Sequence, residues 1–188
     1  MGSYYYLGAQ LPYLIYGQNI PMSSEAFKAL AREFMSSSDA AVLDQCTLDP
    51  DPPVDDESSY AKPAPSTSSS LVNNWKKWER TLRLCLAKGR AQKFKREAPA
   101  DVPDDPTDAV AAAKTALVME SPLDAELYLD KARWDAIESF QGMGIFGKNV
   151  IYAYLLKLLL MERRAAFNAV EGYAEYKGLY AAILGEEK

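Results

Sequence analysis

The chain has 188 residues, 48% hydrophobic and 25% charged, with a formal net charge of -5 and no histidine. That length supports one substantial core with a smaller appended unit, in an ordinary globular composition. The negative charge argues against bulk nucleic-acid binding, which draws on basic domains, and the missing histidine removes the usual serine and cysteine triads and most zinc sites.

Cys46 and Cys85 fall on separate expected helices without a C-x-x-C. That pattern fits buried free thiols in a reducing compartment rather than a disulfide. Met1 to Gly17 lacks the basic start and continuous apolar segment of a signal peptide. The longest apolar run, Val150 to Met161, is interrupted by Lys157 and falls short of the ~20 residues that cross a bilayer. The expected location is the cytoplasm, with any membrane association indirect, through a complex.

Tyr4 to Leu11 is aromatic but has no second strand-like run to pair with, so it is expected as a short helix or extended segment docked on the core. Ser23 and Ser24 cap a helix in which Phe27, Leu30, Ala31 and Phe34 recur at helical spacing and Glu25 sits in the first turn. A shorter helix follows near Asp39 to Cys46. From Asp49 to Ser70, prolines, serines and acids replace the apolar residues, which reads as a flexible acidic linker.

Leu71 to Arg96 is expected as one long helix. Leu71, Trp75, Trp78, Leu82, Cys85 and Gly89 form a narrow seam, and nine cations with a single acid, Glu79, occupy the other faces. A second linker, Ala98 to Pro106, ends it. Thr107 then caps a helix from Asp108 to Glu120, and Ser121-Pro122 opens another, reaching about Phe140 with Leu127, Trp134 and Ile137 inward. A glycine turn leads into the last helix, which Gly172 and Gly178 are expected to bend or end. The sum is an all-α protein of about six helices: an N-terminal segment, 1–48, packed on the core, a linker at 49–70, and a main domain at 71–188.

Gly142 to Lys148 matches both G-x-G-x-x-G and most of G-x-x-x-x-G-K-[ST] as strings. A phosphate loop also needs a preceding strand and a magnesium-binding hydroxyl, but a helix precedes this one and position 149 is asparagine. The stretch therefore reads as a helix-to-helix turn whose glycines supply positive φ and close approach. No catalytic, metal or cofactor residues are assigned. Glu126 and Asp130, with Lys131 and Arg133 beside them, read as ordinary surface pairs. The tyrosines at 152, 154, 173, 176 and 180 read as core-edge or interface residues.

Three stretches carry a resemblance. Tyr4 to Pro12 is similar to the start of a bacterial family encoded beside V-type ATPase genes and, more distantly, to the opening of the C/d-type central-stalk component of the V-type ATPase. Glu126 to Lys131 resembles that family's E-x-x-L-D-k segment. Ile145-Phe146-Gly147, followed by Ala153 to Leu156 and Glu162-Arg163-Arg164, resembles its hinge and its E-x-R-N helix. The resemblance implies a non-catalytic socket between the rotor ring and the central shaft, working by protein–protein contact in coupling or assembly. It makes Glu162, Arg163 and Arg164 candidate contacts. Charge and aromatic content add Trp75, Trp78, Arg80 and Arg83. The alternative is a stand-alone adaptor or regulator that binds an acidic protein through residues 71–96.

Overall fold

The computed structural model describes residues 4–48, 66–99, 102–144, 146–166 and 169–184. Among these residues there are eight helices and no strand: α1 Tyr5–Gln10, α2 Ser24–Phe34, α3 Ser37–Leu43, α4 Ser70–Lys93, α5 Thr107–Val118, α6 Pro122–Gln141, α7 Lys148–Ala165 and α8 Ala169–Leu184. The all-α expectation holds.

Serine caps set several helix starts. The hydroxyls of Ser23, Ser36, Ser69 and Ser121 each accept from a backbone N–H in the first turn that follows. Ser69 also donates to Asn149 Oδ1 at 3.0 Å, which ties the start of α4 to the start of α7. Thr107 is not a cap. Pro106 holds that position without a side-chain bond, and α5 ends at Val118 rather than Glu120.

α4, α6 and α7 form the centre. α6 runs antiparallel to α4, with Arg133 at Glu79 and Arg90 beside Glu126. α7 runs antiparallel to α6, with Lys157 at Glu138 and Arg163 at Glu126. α5 lies parallel to α4 because residues 102–106 first return along it. Thr81 donates to the Asp105 carbonyl, and Trp78 donates to the Asp108 carboxylate. The expected linker at 98–106 is therefore seated on α4 over its described second half, while residues 49–65 of the first linker lie outside the described residues.

The N-terminal segment runs the length of α7. Tyr4 N–H donates to the Phe146 carbonyl, Tyr154 to that of Pro12, and Tyr16 to that of Leu127. α2 then returns, placing Phe27 against Tyr154 with ring centroids 4.8 Å apart. Leu7, Phe27 and Leu43 share one core with Trp75, Trp78, Ile137 and Tyr152. Burying each such side chain contributes about 1.5–3 kcal/mol.

Two glycine expectations change. Among the described residues of the turn before α7 only Gly142 has positive φ, at 68°, and a Cβ would meet nothing within 4 Å at Gly142, Gly144 or Gly147. The reversal uses one left-handed residue there, and the close contact on the turn is made by Phe146 against Tyr5, not at a glycine. α7 ends at Ala165, before either later glycine, and Gly172 and Gly178 lie inside α8. A glycine ends a helix by taking left-handed φ, which neither does; inside a helix it only weakens it.

Candidate functional site

The seam of α4 points its tryptophans inward. Trp75 and Trp78 are 2% and 1% exposed, stacked at 6.1 Å, and their indole N–H groups donate to the Thr47 carbonyl and the Asp108 carboxylate. With both polar handles satisfied internally, neither offers a surface to a partner. The two rings expected as contacts thus lie in the core of the bundle. Arg80 is half-buried, and Arg83 donates to Glu79 Oε1 at 2.6 Å and to the Leu48 carbonyl.

Behind Arg83 lies a buried charge network. Glu79, expected on a solvated face, is 7% exposed, and Arg133 and Asp130, expected as surface pairs, are 4% and 1% exposed. Arg133 Nε and Nη2 donate to the two Glu79 oxygens at 2.9 and 3.2 Å, and Nη1 donates to Asp130 Oδ1 at 3.3 Å. Burial pulls the Arg133 pKa down, but the charge and hydrogen bonds of Glu79 outweigh it and leave it raised. Asp130 shifts the other way for a carboxylate. Burial raises its pKa despite Arg163 and Arg133, and its Oδ2 has no partner among the described residues.

The network was legible in the register. Glu79 stands four residues after Trp75 and three before Leu82, and Asp130 stands four before Trp134 and seven before Ile137. Helical spacing therefore puts both acids on core-facing stripes. Charged residues nevertheless read as surface by default, since burial requires pairing that a single helix cannot reveal.

The three candidates on α7 also turn inward. Glu162 Oε1 accepts the Ser24 backbone N–H at 2.6 Å, at the α2 N-terminus where a carboxylate complements the helix dipole. Arg163 donates to Glu126 at 3.1 Å, and Arg164 lies over the Tyr16 ring, 4.9 Å from its centroid. Each holds another part of the chain against α7. At the opposite end, Lys148 pairs with Asp39 at 3.3 Å, and Asp39 also accepts from Tyr4 and Tyr152. The Tyr4 hydroxyl outweighs burial, and with help from Lys148 it holds the Asp39 carboxyl below its ordinary range. The lysine of the phosphate-loop lookalike is thus committed to an internal carboxylate.

Burial alone raises the Tyr154 hydroxyl to about 12, and it raises the Cys46 thiol to about 12 against the pull of Lys28. Both stay protonated, and Cys46 and Cys85 are free thiols. Among the described residues, no group of three or more acids or cysteines is placed to hold a metal ion, and no helix is long and apolar enough to cross a membrane.

What remains outward is elsewhere. α8 presents Tyr173, Tyr176, Leu179, Tyr180 and Ile183, each more than half exposed. Their spacing over three turns places 173, 176, 180 and 183 on one stripe. The end of α4 exposes Lys88, Lys93, Lys95 and Arg96 around Phe94. Comparison with protein-family models, curated proteins and solved structures gives no match.

Proposed function

We propose that this chain is a non-catalytic helical accessory or central-stalk component of a V-type ATPase, acting through protein–protein contacts with its shaft and rotor ring. The observation that carries contact as the mode of action is α8, whose tyrosine and aliphatic stripe stands in solvent. Large exposed apolar faces mark interaction sites, and tyrosine suits them because it pairs an apolar ring with a polar tip. The ATPase context rests on the resemblance of Tyr4 to Pro12, Glu126 to Lys131 and Glu162 to Arg164. Within that context those segments act as internal ties: Tyr4 to Asp39, Glu126 to Arg163, and Glu162 to Ser24. They build the rigid body, and α8 makes the contact.

Tagged full-length protein, recovered from its native cell, should bring down stalk or ring proteins of the V-type ATPase. Tyr176→Glu with Tyr180→Glu should abolish that recovery without lowering Tm, because both rings are exposed. Recovery of no ATPase component by the unsubstituted chain would overturn the assignment.

A second reading has its own observation. The cations exposed around Phe94, which is 67% exposed, suit an acidic protein partner of a stand-alone adaptor. It places that surface on the last turns of α4 and just beyond, since Arg83 and Lys77 are paired internally. Lys93→Glu with Lys95→Glu would then abolish capture of that partner, while the α8 substitutions would leave it intact.

A further inference from the structure

A cleft of about 520 Å³ lies between α2, the segment after α3, α4 and α7. Lys28, Arg83 and Arg163 line it with Cys46, Leu48 and Leu159, and among the described residues no acidic side chain stands on its wall. Three helices thus bring one cation each to a single concavity. Its volume is in the range that holds small ligands, about 300–1,000 Å³.

The two guanidinium groups are held from behind. Glu79 fixes Arg83 through Nε, and Glu126 fixes Arg163 through Nη2. Arg83 Nη1, Arg163 Nε and Arg163 Nη1 have no hydrogen-bond partner among the described residues. A fork anchored on one side and open on the other is pre-organised for a second oxyanion. Lys28 is half-buried and makes no ion pair among the described residues. Arg83 and Arg163 are each balanced by one carboxylate, so the ammonium of Lys28 leaves the space one positive charge that a bound anion offsets. Leu48 and Leu159 add apolar wall, which favours an organic body over a bare ion.

We propose that this cleft binds a small organic anion, gripping its phosphate or carboxylate with Arg83, Arg163 and Lys28 while Leu48 and Leu159 cover its apolar part. The inference is independent of the ATPase context, since it uses none of α8 or the basic end of α4.

Thermal unfolding of the full chain is followed with phenyl phosphate, benzoate and inorganic phosphate, each against sodium chloride of equal ionic strength. At tenfold excess over Kd, phenyl phosphate or benzoate should raise Tm by about 3–6 °C, with inorganic phosphate weaker. Whichever organic anion gives the larger shift identifies the head group. Lys28→Met should fold with nearly unchanged Tm and lose most of the shift. Leu159→Trp, which narrows the cleft and keeps its charge, should weaken the organic anions more than inorganic phosphate. A shift reproduced by sodium chloride, one undiminished in both variants, or no saturable shift with any of the three anions would overturn the proposal.

Discussion

Arg133→Met removes the centre of the buried network at nearly constant apolar volume. The lost interactions are two N–H bonds to Glu79, at 2.9 and 3.2 Å, and one to Asp130 at 3.3 Å. Both carboxylates are buried, so water cannot replace those donors. Removing one partner of such a pair costs about 3–5 kcal/mol, chiefly because a charge is left uncompensated. That is a large fraction of the roughly 5–15 kcal/mol typical of a whole domain. Urea denaturation at pH 7 should show the loss as a lower midpoint with unchanged slope. The sign with pH is also fixed. The folded Asp130 pKa already lies above its unfolded value, so ionised Asp130 costs stability, and the cost grows as pH rises through the interval between the two. Losing Arg133 widens that interval, so the deficit of the variant should shrink as pH falls from 7 towards 5. Glu79 keeps Arg83 at 2.6 Å, so the orphaned charge is that of Asp130, and adding Asp130→Asn to Arg133→Met should restore part of the loss. A loss below about 1 kcal/mol, or a double variant no more stable than the single one, would refute the reasoning.

Gly89→Ala tests the α4–α5 approach. A Cβ there would lie 2.1 Å from Leu117 Cδ1 and within 3.2 Å of its Cδ2 and Cγ. The overpacking outweighs the gain in helix propensity of about 1 kcal/mol, and chemical denaturation should show a net loss of about 1–2 kcal/mol; a gain would mean that Leu117 moves aside freely. Asp39→Asn tests the tie between Tyr4, Lys148 and α3. Because the folded pKa of Asp39 is below its ordinary 3.8, its contribution is present above that value and is lost as pH falls through the folded pKa. The Tm gap between the natural chain and the variant should be open at pH 7 and closing at pH 3; an undiminished gap at pH 3 would contradict the charge-based account.

Helix positions were largely legible because capping serines and apolar spacing are local signals. Ser23 and Ser121 fix helix starts through bonds made within three residues, so no tertiary information is needed. Where a boundary depended on its surroundings, local signals misled. Gly172 and Gly178 were expected to bend or end the last helix, but a glycine stop takes left-handed φ, which the chain adopts at Gly142 after α6 and not at either of them. The charged residues show the same limit. Glu79 sits on the tryptophan stripe, and its spacing alone puts it inward, yet its burial also draws on Arg133, 54 residues away, beside the local pair with Arg83.

The candidate contact surface moves for the same physical reason. Trp75, Trp78, Arg83, Glu162, Arg163 and Arg164 combine charge and aromatic character, the usual chemistry of interfaces. Folding uses that chemistry first. Each finds an internal acceptor, donor or ring: Thr47, Asp108, Glu79, Ser24, Glu126 and Tyr16 respectively. A side chain whose polar atoms are all so committed would have to break an existing bond before meeting a protein partner, at a cost of about 0.5–3 kcal/mol each, while the unbonded N–H groups of Arg83 and Arg163 serve the cleft. The tyrosines of α8 carry no such commitment among the described residues beyond the stacking of Tyr176 on Tyr180 and the contact of Lys177 with Tyr173. Contact through α8 therefore requires no loss from the bundle, whereas contact through Trp75, Trp78, Glu162 or Arg164 would break bonds that hold the bundle together.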